Sequence, residues 1–185
     1  MRFFIALEIP EGDKQALKNV QNRLLETVPG VKLTDSNKLH LTLVFVGEQK
    51  DELKESLIEI VSRAADGIHP FSVTPSYIDG FPNIHNPHTL WVGVKGDVDK
   101  LHILREKIKD GLKELNLPVD ERKFIPHIAV GKTSNIKITP RQEDALEKMM
   151  AQGFQPIQVS SIKLFESVPD QGLHQHNTLA EIKLS

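Results

Sequence analysis

The chain repeats itself. His40 stands in the run Lys38-Leu39-His40-Leu41-Thr42-Leu43-Val44-Phe45-Val46. His127 stands 87 residues later, in Phe124-Ile125-Pro126-His127-Ile128-Ala129-Val130-Gly131-Lys132. The offset holds around them: Ile5 lies 35 residues before His40 and Trp91 lies 36 before His127, while Phe71 lies 86 before Ile157. By hydrophobic periodicity each half runs strand, helix, histidine strand, helix, strand. Two like units must bury like faces, so they pack about a pseudo-two-fold axis. The expected fold class is α+β: a bilobal duplication, with two mainly antiparallel sheets lining a central groove and helices packed outside. Equivalent strands then face each other across the groove, which brings His40 and His127 together.

Local signals set the elements. Residues 3–9 form an apolar strand ended by Pro10. Ala16, Leu17, Val20, Leu24 and Val28 recur at helical spacing, and Pro29-Gly30 stops that helix. Residues 31–33 make a short extended piece. In the first histidine strand, alternation places Leu39, Leu41, Leu43 and Phe45 on one face and His40, Thr42, Val44 and Val46 on the other. Helix 51–65 and strand 71–78 complete the first half. Residues 79–88 are rich in Gly, Pro and Asn and read as the loop that crosses to the second half. There the pattern resumes with strand 89–94, helix 97–115, strand 127–132, a helix capped by Thr139-Pro140, strand 157–165 and a last strand 177–184. The Glu/Lys-rich helix 100–114 reads as a solvated face. No linker separates the halves, so 1–185 is expected to be a single bilobal domain. Its lobe-forming repeats span approximately 1–80 and 88–185, with strands free to exchange between lobes.

A net charge of -2 excludes a global polyanion-binding surface, so any nucleic acid contact is local, to an end or a short piece. The absence of cysteine removes disulfides, thiol nucleophiles and cysteine metal sites. Glu8 and Pro10 break the first apolar run, and no run approaches the roughly 20 residues of a membrane span. A cytoplasmic, non-membrane monomer is expected.

Two facing imidazoles can act as acid and base in one reaction, since the ordinary imidazole pKa of about 6.5 lies near working pH. Flanked by hydroxyl and cationic groups they suit phosphodiester cleavage, in which the protein positions and neutralises. Thr42 offers a donor to a phosphoryl oxygen, and Lys132 offers charge. Phe124 can stack on a base, worth roughly 1–3 kcal/mol, or belong to the core. His174 with His176, and His85 with His88, are possible metal pairs that Asp170 or Asp79 could complete, but exposed loop histidines are the commoner case. His69 and His102 read as surface residues.

The stretch His40-Leu41-Thr42-Leu43 matches the His-x-Thr-x signature of the two-histidine phosphoesterases, and His127-Ile128-Ala129-Val130 is a degenerate second copy. With Arg2-Phe3-Phe4-Ile5-Ala6-Leu7, Gly47-Glu48, Gly80-Phe81-Pro82, Leu90-Trp91-Val92-Gly93-Val94 and Pro126-His127, nearly the whole chain resembles the RNA 2',3'-cyclic phosphodiesterases, also called 2'-5' RNA ligase-like proteins. The resemblance implies hydrolysis of terminal RNA 2',3'-cyclic phosphates to 2'-phosphates with no metal or other cofactor. It implies His40 as proton donor and His127 as proton acceptor, with RNA ends as partner. Ala129 departs from the signature threonine, and Lys132 stands where many relatives carry arginine. Two other functions use the same groove: 2'-5' RNA ligation by the reverse reaction, and a non-catalytic nucleotide- or RNA-end-binding module.

Overall fold

The duplication survives folding in the helices and the histidine strands. The structure, a computed structural model, describes residues 1–170 and 173–185, and for Asp170 and Leu173 the backbone alone. In chain order the elements are β1 Arg2–Glu8, α1 Glu11–Thr27, β2 Lys32–Leu33, β3 His40–Glu48, α2 Lys54–Ala65, β4 Phe71–Phe81, β5 Thr89–Gly96, α3 Val98–Glu114, β6 His127–Lys132, α4 Pro140–Met150, β7 Ile157–Val159, β8 Ser161–Asp170 and β9 Leu173–Lys183. Helices α1 and α3 are both 17 residues long and begin at Glu11 and Val98, the repeat offset apart. Each forms because apolar residues return at helical spacing: Leu17, Val20 and Leu24 in α1, and Leu101, Leu104, Ile108 and Leu112 in α3, all buried. Helix α4 starts where its cap predicts. The Thr139 side chain accepts from Gln142 N, and the Gln142 side chain accepts from Thr139 N.

The strands form two antiparallel half-sheets, β7-β4-β5-β6 and β3-β1-β8-β9. The half-sheets meet edge to edge at the two histidine strands, where Leu41 pairs with Ile128. These two residues are equivalent in the repeat, so the pseudo-two-fold axis runs through their pairing. Both are fully buried, with Leu39, Leu43 and Val130 beside them, in the core that the helices cover. Strand membership crosses the halves: β4 belongs to the first repeat but pairs with β5 and β7, and β8 belongs to the second but pairs with β1. The expected strand 157–165 is two strands, because the chain leaves β4 after Val159 and pairs with β9 from Ser161 and with β1 from Lys163.

Three expectations fail for tertiary reasons. The connection between the repeats is a hairpin, since Asp79, Gly80 and Phe81 pair with Trp91, Leu90 and Thr89. Gly80 is tolerated in the strand because the turn folds over it: a Cβ there would lie 2.7 Å from the Pro87 Cβ. His174 and His176 lie on β9, not in a loop. Phe45 leaves the core. Ala6 pairs with Thr42 but Ile5 pairs with Val44, so Leu43 is an extra residue in β3. This bulge reverses the alternation: Leu43 and Val44 are both buried, and Phe45 turns to the His40 and Thr42 face, 64% exposed. Strand β6 carries the same bulge at the equivalent residue, Val130, between the pairs Trp91–Ala129 and Leu90–Gly131.

Candidate active site

Both histidines begin their strands and are held alike. The Lys38 carbonyl lies 2.7 Å from His40 Nδ1, and the Ile125 carbonyl lies 2.7 Å from His127 Nδ1. A carbonyl only accepts, so Nδ1 carries the hydrogen in each ring and Nε2 is the nitrogen left for chemistry. Each ring is walled by aromatic neighbours. Phe4 and His176 both lie with their centroids 5.4 Å from His40. Phe81 and Trp91 lie 5.0 and 5.4 Å from His127.

Burial lowers the pKa of both histidines. For His40 the bond to Lys38 works against burial, the charge of His127 adds to it, and Glu8 opposes it. Glu8 pairs with His40 in the β1–β3 register, whereas Gly93 pairs with His127. The first imidazole therefore faces a carboxylate, itself paired with Lys163, and the second does not. His176 is pushed down to about 4, by burial first and then by His40, Lys38 and His174.

Antiparallel register counted outward from Leu41–Ile128 sets Thr42 opposite His127 and Ala129 opposite His40. Thr42 thus serves two neighbours, His40 along its own strand and His127 across the seam. A groove of about 730 Å³ contains Thr42 and His127 together, with Phe45, Phe81, Arg105 and Phe124 among its walls. Phe124 is half-buried, packs on the core and lines the groove. Lys132 ends β6 exposed, paired with Thr89 and Lys32 in register, and is not among the groove walls.

A buried cation at the groove is Arg105, in the helix the sequence presented as a solvated face. Arg105 is buried, donates to the Leu43 carbonyl at 2.5 Å and to the Asp120 carbonyl at 2.9 Å, and lies 4.8 Å from the Phe124 ring centroid. The first repeat has a matching device. Gln21, also buried, donates to the Val130 carbonyl at 3.1 Å and the Thr34 carbonyl at 2.8 Å. In each half a helix side chain satisfies the carbonyl of the bulge in the opposite histidine strand. One half uses a neutral amide for this and the other a guanidinium. Of the possible metal pairs, His85 lies 3.7 Å from Glu143, and His88 lines the groove. His174 Nδ1 lies 3.1 Å from the Ser167 hydroxyl, and the Asp170 side chain lies outside the described residues. Among the described residues no three His, Cys, Asp or Glu are grouped to hold a metal. Two half-buried imidazoles with no bond to Nε2 among the described residues, one on the groove wall and the other beside Thr42 on its own strand, with a cation nearby, can move protons on both sides of a phosphorus centre.

Comparison with known proteins points the same way. The family model described as the 2'-5' RNA ligase superfamily matches residues 15–170. An RNA 2',3'-cyclic phosphodiesterase of Methanocaldococcus jannaschii is 31% identical over 168 residues, covering 90% of this chain and 91% of that protein. One of Thermotoga maritima is 30% identical, covering 86% and 82%. Among solved structures, the protein TT0787 of Thermus thermophilus superposes with a TM-score of 0.80 at 23% identity, covering 100% of this chain and 98% of the other.

Proposed function

The chain belongs to the 2'-5' RNA ligase superfamily, and from that premise we propose that it hydrolyses terminal RNA 2',3'-cyclic phosphates to 2'-phosphates. The observation that supports this most is the pair of like imidazoles, each with Nδ1 bound to a backbone carbonyl and with Nε2 unbonded among the described residues. In this reading His127 Nε2 takes a proton from water as the water oxygen bonds to phosphorus. The bond from phosphorus to the 3' oxygen breaks, and His40 gives that oxygen its proton. The asymmetry in register supports the assignment: Glu8 beside His40 works against the lowering of that ring's pKa by burial, and His127 has Gly93 opposite it in place of a carboxylate. Thr42 donates to a phosphoryl oxygen, Arg105 adds positive charge, and Phe124 and Phe45 offer faces to a base. Lys132, exposed and outside the groove walls, is left to long-range attraction. No step calls for a metal or another cofactor. The chain works as one bilobal unit over 1–185, as a monomer, on RNA ends in the cytoplasm; no helix among the described residues is long and apolar enough to cross a membrane.

The decisive experiment incubates a short RNA ending in a 2',3'-cyclic phosphate with the protein and EDTA, and identifies the product by phosphorus NMR. A 2'-phosphomonoester is expected. An unchanged substrate in EDTA that turns over with added metal overturns the metal-free mechanism. Recovery of bound but intact RNA supports the binding module instead, and a joined 2'-5' product supports ligation by the reverse steps.

A further inference from the structure

The halves differ most between the first helix of each and its histidine strand. In the first half, residues 28–39 are tied into the sheet, because β2 pairs Lys32 with Lys132 and Leu33 with Gly131. In the second half, residues 115–126 form no strand and instead give Asp120, Arg122, Lys123, Phe124 and Ile125 to the groove wall. Arg105 fastens this segment from beneath through the Asp120 carbonyl and the Phe124 ring. His102 packs edge-on to Phe124 at 5.2 Å. The segment is therefore held in place without being closed by a ladder.

Where the segment faces the groove its chemistry is one-sided, because Glu121 is turned away to Lys109 and Lys113. Arg105, Arg122 and Lys123 face one carboxylate, Asp120, in a chain whose net charge is -2. Arg122 forks onto Asp120 at 2.7 and 3.0 Å and holds that carboxyl well below the usual range. Lys123 is in no ion pair among the described residues. Phe45, turned outward by the β3 bulge, and Phe124 stand among these cations. Cations interleaved with accessible aromatic faces are how proteins hold single-stranded nucleic acid without reading its sequence. The groove volume of about 730 Å³ lies toward the upper end for a site that holds one small molecule.

We propose that residues 115–126, together with Phe45, form a subsite for the RNA chain on the 5' side of the terminal nucleotide, so that oligonucleotide ends are preferred over 2',3'-cyclic mononucleotides. This rests on the cyclic-phosphodiesterase reading. The polarity follows from the chemistry: a terminal 2',3'-cyclic phosphate occupies both hydroxyls of the last ribose, so the strand can continue only from its 5' oxygen. Whatever fills the groove beyond the reacting phosphate is a nucleotide upstream of it. Lys123 and the unshared edge of Arg122 meet the upstream phosphates, and Phe45 and Phe124 meet bases.

The test compares kcat/KM for a 2',3'-cyclic mononucleotide and for an octaribonucleotide with a 2',3'-cyclic phosphate end. The native chain is measured against the double variant Arg122→Ala, Lys123→Ala, with circular dichroism to check folding. The native chain is expected to favour the octamer by at least about tenfold, the worth of one stacked base. In the double variant that preference falls at least about fivefold, and the slope of log kcat/KM against log salt for the octamer flattens by about 0.7 for each lost contact. Equal use of both substrates by the native chain, or an unchanged preference and slope in the variant, overturns the subsite. If neither substrate is hydrolysed, the cyclic-phosphodiesterase reading is what has failed. The subsite is then judged by fluorescence anisotropy of a 5'-labelled octaribonucleotide ending in a 2'-phosphate: the flatter salt slope supports it, and identical slopes overturn it.

Discussion

Two ring nitrogens and one hydroxyl carry the proposed reaction, and each can be removed singly. His40→Ala and His127→Ala should each lower kcat at least about a hundredfold, the usual worth of a general acid or base. Thr42→Ala should cost about ten- to a hundredfold, since a hydrogen bond to a charged group is worth about 1.5–3 kcal/mol. Steady-state kinetics on one cyclic-phosphate RNA decides both, and full activity in a folded Thr42→Ala protein would reduce Thr42 to a strand-former. Because burial lowers both imidazoles, the bell-shaped kcat/KM profile should turn down on its alkaline side below the ordinary imidazole pKa of about 6.5. His176 makes a prediction about stability. Its folded pKa of about 4 lies below its unfolded value, so between about 4 and about 6.5 the unfolded chain binds more protons. Stability is therefore full above that window and is lost as pH falls through it. His176→Phe keeps the ring against Phe4 and His40 and removes this titration, so its Tm should drop less between about pH 7 and about pH 4.5 than that of the native chain.

The bulges in β3 and β6 are where sequence reading stopped and tertiary structure took over. Alternation placed Leu39, Leu41 and Leu43 correctly, and the histidines with them, because a period of two needs no distant partner. It failed at Phe45 because the bulge is held by Arg105, 62 residues away from Leu43 in sequence. A signal did exist: Leu101, Leu104, Arg105, Ile108 and Leu112 follow one helical stripe, and Arg105 occupies an apolar position of it. A cation in the stripe needs a polar partner underneath, but the sequence does not say which carbonyl provides it. Arg105→Met should destabilise the fold by about 1–3 kcal/mol by stranding the carbonyls it binds, and Gln21→Leu by less, because the Val130 carbonyl keeps its bond from Thr34 N–H; urea unfolding reads both. Arg105→Met should also lower activity, since Phe124 and Phe45 depend on it, whereas Gln21→Leu acts far from the groove. Gly93→Ala tests the floor beside His127: a Cβ there would overlap the Tyr77 ring, and Tyr77 is itself braced on Trp91. Overpacking of that kind costs about 1–3 kcal/mol.

At the scale of the molecule, the repeat was legible because duplicated spacing leaves a constant offset that needs no geometry to see. Which strands sit side by side was not legible, because exchange between half-sheets preserves every local pattern. That exchange has a testable result. Fragments 1–82 and 83–185 each lack strands that complete their sheets, β8 for the first and β4 for the second. Each alone should lack cooperative unfolding by circular dichroism, and the mixture should regain it and elute as one species. The pairing of Leu41 with Ile128 has a different consequence. Two copies of a half-length chain meeting at such a point would leave no left or right: either imidazole could donate, and the substrate could lie in either sense. Joining the copies in one chain allows matching parts to drift apart. Thr42 and Ala129, Gln21 and Arg105, and the strand partners Glu8 and Gly93 are the places where the drift is visible. Together they make the groove a one-way street, with a defined end for the incoming strand and a defined direction for the proton.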